Sequence, residues 1–369
     1  MHMAENKQRK KIPGVLFVLA AAAIVLIVAL VMIPGNRYRK AVALQQAGKY
    51  GEAISAFQAL NGYGDSAAQI EACRTGIKER AYQAAAALRQ AGKYEEAISA
   101  FEALNGYGDA AEQITETKYM EAAAQTANGD YTSAVSIFNS IRGYKDVNSL
   151  LENDDHLVAA REAKRAAFQT VGSYVTFGVY PQTSSGTDET GIEWLVLDYD
   201  AASHRALLLS RYELDATPYN TRSTDITWEN CTLRKWLNGY FFNRAFRAEE
   251  QAAIMITEVD NGPEQGYSGW DTSGGNATQD RIFLLSYAEA MNMSKTASIA
   301  APTAYAISEG AFVSTEGSST GWWWLRSPGR YQYSAARVRY DGTPDYSSIS
   351  YEVGGVRPAF WLNLESDLF

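Results

Sequence analysis

Two consecutive stretches of this chain are near copies of each other, and this repetition limits the folds open to the N-terminal half. The stretch YRKAVALQQAGKYGEAISAFQALNGYGDSAAQI, within residues 38–80, recurs as YQAAAALRQAGKYEEAISAFEALNGYGDAAEQI within residues 82–124. The period is 44 residues, and a weaker third copy follows with a period of 37 residues. Periods of this length are typical of stacked supersecondary units, so we predict an all-α helical-repeat region at residues 37–168.

Each copy contains two helical patterns separated by a glycine. Gly48 and Gly92 break the first helix, and the block KYxEAISAF starts a second helix with Ala53, Ile54 and Phe57 on one face. The pattern G-K-Y-x-E-A-I-x-x-F resembles the second helix of tetratricopeptide repeats, and this resemblance implies a peptide or protein partner at the repeats. The alternative is a stalk, which the alanine-rich faces and the lack of an exposed Arg, Asn or Lys cluster favour.

An uncharged and almost wholly apolar run extends from Val15 to Ile33. As a helix it would be about 28 Å long at ~1.5 Å per residue, which is enough to cross a hydrocarbon core. We therefore predict a short basic tail at residues 1–11 and a single-pass transmembrane helix at residues 12–34, with the later domains outside the cell. A cleaved signal peptide is the alternative, but Pro34-Gly35 stands where a small-x-small cleavage site would be expected.

Composition excludes several classes of protein. There are 42 acidic and 33 basic residues, which gives a net charge of -9 and disfavours nucleic-acid binding. Most of this imbalance lies in residues 170–369, with 24 acidic and 14 basic residues. Two cysteines, Cys73 and Cys231, and three unpaired histidines cannot build a disulfide framework or a zinc site. We predict no metal, no cofactor and no enzymatic activity.

The sequence period changes from that of helices to that of strands at Val171. Strands are predicted at residues 174–178, 193–198 and 205–210, and at the apolar run 282–285. Helices are predicted from Thr227 through TWENCTLRKWLNGYFFNRAF, at 247–253 and at 287–291. Mixed elements with helices early and strands late indicate an α+β domain at residues 172–369.

The stretch from Arg330 to Tyr351 differs in composition from the rest of this domain. Its 22 residues include five Tyr, four Ser, three Arg and two Asp, with no Lys and no Glu. Tyrosine offers a large contact area at low entropic cost, while Ser, Arg and Asp supply adaptable polar contacts. We therefore predict a recognition surface for a protein or glycan ligand. Its predicted ligand-binding residues are Tyr331, Tyr333, Ser334, Arg337, Arg339, Tyr340, Asp345, Tyr346, Ser348, Ser350 and Tyr351.

Alternation along a strand in this stretch would separate core positions from surface positions. Ala336 and Val338 would face the core, and Arg337 and Arg339 would face outward. Asp341-Gly342 then supplies a turn signal.

Two blocks of rigid-looking sequence, residues 321–329 and 354–364, flank the recognition stretch. We assign at least two of the four tryptophans in these blocks to core packing. Arg326 and Arg357 are predicted to be buried anchors, because a guanidinium fork can tie several backbone carbonyls together.

Five sequence blocks together resemble one bacterial domain family, similar to the C-type-lectin-fold variable proteins of diversity-generating retroelements. The blocks are V-x-F-G-V-Y-P-Q (175–182), I-E-W-L-V-L-D (192–198), T-W-E…L-R-x-W-L-N (227–238), W-W-L-R-S-P-G (323–329) and G-V-R-P-A-F-W-L-N-L (355–364). The resemblance covers residues 172–366 and implies a C-type-lectin-like head domain with ligand contacts on its terminal strands and loops. It also implies that the codons of the contact residues are open to diversification. Together with the predicted anchor and repeats, it indicates a surface-displayed binding protein.

Two other functions remain open at this point. Formylglycine-generating enzymes share this general fold but need reactive cysteine chemistry near the C-terminal pocket, whereas Cys231 precedes the recognition stretch by about a hundred residues. A scaffold protein that binds partners through its repeats is the other alternative. The calcium-binding runs Glu-Pro-Asn and Trp-Asn-Asp of many lectin folds are absent from the sequence.

Overall fold

A computed structural model of the chain describes residues 21–26, 33–316, 319–350 and 353–369. The chain divides into two compact units, residues 1–123 and 124–369. The N-terminal half is α-helical and the C-terminal domain is rich in β-strands. Among the described residues, no helix is both long enough and apolar enough to cross a membrane. The transmembrane helix predicted at 12–34 lies largely outside the described residues.

Eight helices build the repeat region in the described part of the chain. They are α1 Ile33–Gln46, α2 Tyr50–Gln58, α3 Ser66–Gln90, α4 Tyr94–Glu102, α5 Ala110–Ala127, α6 Tyr131–Asn139, α7 Val147–Asn153 and α8 Asp155–Gln169. Helices α2 and α4 begin at equivalent tyrosines of the two copies, and α1 and α3 end just before Gly48 and Gly92. The predicted helical repeats are therefore confirmed.

The two strong copies use the same aromatic packing. Phe57 and Phe101 are fully buried, and each meets a tyrosine ring edge-on, Tyr38 at 5.6 Å and Tyr82 at 5.4 Å between centroids. The repeated Ala53 is also buried, because the face that Ala53, Ile54 and Phe57 share turns toward the neighbouring helices. This repeated contact explains why the sequence repeats: each copy has to present the same packing surface.

The third, weaker copy packs within the second unit. The ring of Phe168 at the end of α8 lies 4.9 Å from that of Phe369 and 6.4 Å from that of Phe177. Arg161 and Arg165 donate to the Phe369 carbonyl at 2.8 and 2.9 Å. Helix α8 thus shares a core with the β-rich domain through Phe168, a contact that the two strong copies do not make.

Two larger sheets and one small sheet form the β-rich domain. The strands are β1 Tyr174–Tyr180, β2 Thr190–Asp200, β3 Arg205–Ser210, β4 Asp215–Thr217, β5 Thr257–Val259, β6 Thr278–Asp280, β7 Trp323–Pro328, β8 Ser334–Val338, β9 Pro344–Ser348, β10 Gly354–Val356 and β11 Ala359–Asn363. One sheet has the antiparallel order β1-β2-β3-β11, and the other has the order β4-β10-β7-β8-β9. Strand β10 runs parallel to β7 and antiparallel to β4, while β5 pairs only with β6 among the described strands.

The remaining helical elements connect these strands. They are α9 Thr232–Trp236, a π-helical turn Leu237–Phe241, α10 Phe242–Ala245, α11 Ala248–Ala253, a 3-10 turn Pro263–Gln265, α12 Tyr287–Met291, α13 Lys295–Ser298 and α14 Ala304–Ser308. The strands predicted at 174–178, 193–198 and 205–210 are confirmed, as are the helices at 247–253 and 287–291.

The start predicted for the long helix at Thr227 is wrong. Helix α9 begins at Thr232, with the Cys231 Sγ as its N-cap acceptor from the Arg234 N–H. The Trp228 indole is almost fully buried and donates to the Asp280 carboxylate at 3.0 Å. This contact draws the chain into the core before the helix begins.

The apolar run 282–285 is also not a strand, and only Phe283 forms a single bridge, to Ala359. Side chains hydrogen-bond to backbone groups that would pair with a neighbouring strand in a regular sheet. Asn238 bonds both the N–H and the carbonyl of Ile282, at 3.1 and 2.8 Å, and Arg326 takes the Leu284 carbonyl at 2.9 Å. The run is buried because it is held by these side chains and not by a ladder.

Candidate ligand-binding surface

Most of the predicted recognition residues lie on the β8–β9 hairpin and on the turn that precedes it, and Ser350 follows β9. Asp341 and Gly342 close the hairpin, with an Arg339 N–H to Thr343 carbonyl bond of 2.8 Å, so the predicted turn is confirmed. Strand β9 is the last strand in the order of its sheet. The hairpin therefore carries its side chains at a sheet edge.

The register of the hairpin divides these residues between two faces. Tyr346 pairs with Ala336, whereas Asp345 pairs with Arg337. Paired residues point to the same side of a sheet and neighbours along a strand point to opposite sides. The structure therefore brings the predicted residues together as two groups, and we call them the aromatic face and the arginine groove.

The aromatic face is formed by Tyr331, Tyr333 and Tyr346. The rings of Tyr331 and Tyr333 are stacked, with centroids 5.3 Å apart and planes 3° from parallel, and they are 44% and 47% exposed. Tyr346 meets Tyr331 edge-on at 6.2 Å. Ser334 is buried, and its Oγ accepts from the Tyr331 N–H at 3.0 Å and donates to the Tyr331 carbonyl at 2.6 Å. Ser334 thus fixes the tyrosine turn and presents no free surface.

The arginine groove contains Arg337, Arg339, Tyr340 and Asp345. It encloses about 530 Å³ and is completed by Phe312, Trp322 and Val353. The Arg337 guanidinium lies 4.5 Å from the centroid of the Trp322 ring and 3.4 Å from the Asp345 carboxylate. The Arg337 side chain is only 19% exposed, because it is covered on one side by the indole.

The last part of the predicted surface is less exposed. Ser348 and Ser350 are half-buried, and Ile349 between them is fully buried. Ser348 pairs with Ser334 on the same side of the hairpin as Tyr346. Tyr351 lies outside the described residues.

The loop between β5 and β6, residues 260–277, completes the aromatic face. The Trp270 ring lies 5.2 Å from Tyr346, and it also contacts Tyr267 at 5.1 Å and Tyr287 at 5.7 Å. Gln332 holds this loop, since its Nε2 donates to the Ser273 carbonyl at 2.8 Å and its Oε1 accepts from the Ser273 N–H at 2.9 Å. In the sequence, this contact is indicated only by Tyr267 and Trp270, the two aromatic residues of a loop that is rich in glycine.

The scaffold beneath the surface is held by the two predicted arginine anchors, and both are confirmed as buried. Arg326 donates to the carbonyls of Asp260 and Leu284 and pairs with the Glu289 carboxylate. Arg357 donates to the carbonyls of Ser210 and Ala297, both at 2.7 Å. Trp322, Trp323 and Trp324 are all buried, which confirms their assignment to the core.

Both cysteines lie in the protein interior. Cys73 and Cys231 are free and buried, and burial raises the pKa of the Cys231 thiol to about 12. Within the ranges that the structure describes, no group of three or more His, Cys, Asp or Glu side chains is arranged to hold a metal ion.

The repeat unit has a groove of its own. It encloses about 560 Å³ and is lined in part by Tyr50, Ile77 and Arg80, with Ile77 44% exposed. The Arg80 guanidinium covers the Tyr50 ring at 5.1 Å and donates to the Gly48 carbonyl at 2.9 Å. This groove is where a peptide partner at the repeats would be sought.

The part of the chain that is similar to a known protein family lies in the β-rich domain. A family model described as "Domain of unknown function (DUF6273)" matches residues 203–364. The match runs from the β2–β3 turn to the end of β11, so it includes both faces of the β8–β9 hairpin. No curated protein matches the chain significantly, and no solved structure does.

Proposed function

We propose that the chain is a non-enzymatic recognition protein that binds a ligand through the β8–β9 hairpin of a C-type-lectin-like domain. The observation that carries this proposal is the stacked and half-exposed pair of Tyr331 and Tyr333. Ser334 and Gln332 hold the turn that carries the pair. Aromatic side chains fixed in advance lose little conformational entropy on binding, which is why they dominate binding energy at interfaces.

The tyrosine-rich composition favours a protein ligand over a glycan. Tyrosine contributes contact area and a hydroxyl, and the nearby arginines supply charge in an otherwise acidic domain. The exposed residue types on the hairpin are also those that adenine-directed mutagenesis of asparagine codons produces. We propose on this basis that the segment 331–351 is open to diversification, which a near-copy of its coding segment beside a reverse transcriptase gene would test.

The chemistry of the domain supports binding over catalysis. The enzymatic alternative needs a reactive thiol, and a buried thiol with a raised pKa is a weak nucleophile at neutral pH. Binding by aromatic contacts and hydrogen bonds needs no cofactor.

We further propose that a membrane anchor at residues 12–34 and the helical repeats display this domain at the cell surface. Residues 21–26 of that segment are helical, and their side chains are exposed, including Ile24, Val25 and Leu26 at 59–65%. Contiguous exposed apolar side chains are typical of contacts with a membrane or with another protein.

The test is a selection followed by a matched comparison of variants. The full chain is panned against a phage-displayed random peptide library and against a glycan array. Each enriched ligand is then measured against the double variant Tyr331→Ala/Tyr333→Ala. We expect the dissociation constant to rise at least about 30-fold, which corresponds to about 2 kcal/mol, the cost of losing a single hot-spot aromatic.

The matched control replaces two tyrosines of similar exposure elsewhere in the same unit. Tyr174 and Tyr240 are each 51% exposed and lie far from the hairpin in sequence. The variant Tyr174→Ala/Tyr240→Ala should change the dissociation constant less than about twofold. The proposal would be contradicted if both double variants weakened ligand binding equally, or if Tyr331→Ala/Tyr333→Ala left it unchanged.

A further inference from the structure

A second cleft, which lies next to the aromatic face, opens between the loop after β5 and the end of β7. It encloses about 320 Å³, near the lower end of the range for small-ligand sites. Tyr267 and Trp270 from the loop, and Arg326, Ser327 and Pro328 from β7, contribute to its walls. Trp270 joins the cleft to the recognition surface through its contact with Tyr346. A cleft of this size can hold one side chain or one small molecule.

The walls of this cleft are fixed by side-chain hydrogen bonds. The Ser327 Oγ donates to the Gln265 carbonyl at 2.7 Å and accepts from the Tyr287 N–H at 2.9 Å. The Thr272 Oγ1 donates to the Gly329 carbonyl at 2.8 Å. The loop is therefore tied to β7 at both ends of the cleft, and its aromatic side chains are held in place before any ligand arrives.

The basic residue in the wall has no hydrogen-bond donor left for a ligand. All five N–H groups of the Arg326 guanidinium are used, by the Asp260 and Leu284 carbonyls and by the Glu289 carboxylate. Its charge is paired with Glu289. Among the described residues that line the cleft, Arg326 is the only basic one. An anionic ligand would therefore find no free partner here.

Two side chains of the wall offer hydrogen-bond acceptors. Glu264 lines the cleft and is exposed. Asn261 also lines it and is only 4% exposed; its Nδ2 donates to the Val259 and Asn276 carbonyls at 3.3 and 2.9 Å. Its buried Oδ1 has no hydrogen-bond partner among the described residues. A buried acceptor without a donor carries a free-energy cost that a ligand N–H would remove.

We propose that this cleft binds a primary alkylammonium group, supplied by a lysine side chain of the protein ligand. The ammonium supplies N–H donors to the acceptors of the wall and charge to Glu264. The aliphatic stem packs on Trp270 and Tyr267, whose ring faces also attract a cation. This deepens the proposed function by naming one group of its ligand, and the test below needs no natural ligand, so either proposal can fail alone.

The test uses n-butylammonium as the probe and saturation-transfer-difference NMR on the full chain. We expect n-butylammonium to bind at least about tenfold more tightly than the neutral 1-butanol, and more tightly than tetramethylammonium, which has no N–H donor. Glu264→Gln and Trp270→Leu should each weaken n-butylammonium at least about fivefold, which corresponds to about 1 kcal/mol.

Two controls test the specificity of the site. One asks whether binding depends on this cleft and not on surface charge in general, and the other asks whether a lysine side chain can occupy it. Glu249→Gln removes an exposed carboxylate on α11, outside the cleft, and should leave the dissociation constant within about twofold. Nα-acetyl-lysine N-methylamide should compete with n-butylammonium. Equal binding of 1-butanol, insensitivity to both cleft variants, or a failure of the lysine derivative to compete would each overturn the proposal.

Discussion

At the scale of single residues, Glu213 explains why glycine stands at two positions that flank the recognition stretch. Its carboxyl group is fully buried, and neither oxygen has a hydrogen-bond partner among the described residues. It lies against the backbone of Gly321 and Gly355, where any Cβ would overlap the carboxyl group. Burial raises the pKa of Glu213 well above its usual range, although the Arg357 charge opposes this. The protonated carboxyl group is therefore the form that folding favours.

This burial predicts a pH dependence of stability that Glu213→Gln should remove. The folded state binds the proton more tightly than the unfolded state, whose pKa is near 4.5. The stabilisation is thus fully present below that pKa and is lost as the pH rises toward the folded-state pKa. Relative to Glu213→Gln, the wild type should lose unfolding free energy as the pH rises above the unfolded-state pKa, by at most about 1.4 kcal/mol per pH unit.

Denaturant unfolding followed by tryptophan fluorescence measures this difference. All eight tryptophans lie between residues 194 and 361, so the signal reports the second unit. Glu249→Gln, an exposed carboxylate on α11, serves as the control and should follow the wild type across the pH range. Parallel pH profiles for the wild type and Glu213→Gln would show that Glu213 does not titrate on unfolding.

At the scale of elements, the β8–β9 hairpin and the loop after β5 are joined through Gln332. Its side chain bonds the Ser273 N–H and carbonyl and donates to the Ile226 carbonyl at 3.0 Å. One residue thus ties the tyrosine turn to two other loops. The rigidity that the proposed binding requires depends on this element-to-element link.

Gln332→Ala should loosen the loop without unfolding the domain. We expect amide hydrogen exchange at Ser273 to accelerate at least about tenfold, because its N–H loses its acceptor, and the unfolding free energy to fall by about 1 kcal/mol. Gln279→Ala is the matched control, since the Gln279 side chain bonds only the exposed Glu258 carboxylate among the described residues. Unchanged exchange at Ser273 would show that Gln332 does not hold the loop.

Local patterns predicted many of these elements, and the failures have physical causes. The spacing of apolar residues correctly predicted the helical repeats and three strands, and the Asp-Gly pair correctly predicted the turn at Asp341-Gly342. Local patterns failed at Thr227 and at 282–285, where long-range side-chain bonds from Asp280, Asn238 and Arg326 replace local structure. Composition predicted the candidate ligand-binding residues, and this prediction stays open; their division between two faces depends on the register with β9. The contribution of Trp270 depends on a contact across 76 residues of sequence.

At the scale of the whole molecule, the chain consists of a repeat unit and a larger unit that carries the proposed recognition surface. The third repeat copy belongs to the larger unit, because Phe168, Arg161 and Arg165 pack against its last residues. The family match lies wholly in this unit. We therefore expect ligand contacts in the β-rich domain and a supporting role for residues 38–123.

The location of ligand contact tests the central claim most directly. Hydrogen–deuterium exchange of the full chain is measured with and without a ligand enriched in the panning experiment. We predict slower exchange on ligand binding in residues 330–350 and 261–274, with residues 38–123 unchanged. Protection confined to residues 38–123, or to strands β1 to β3, would contradict the assignment of binding to the β8–β9 hairpin.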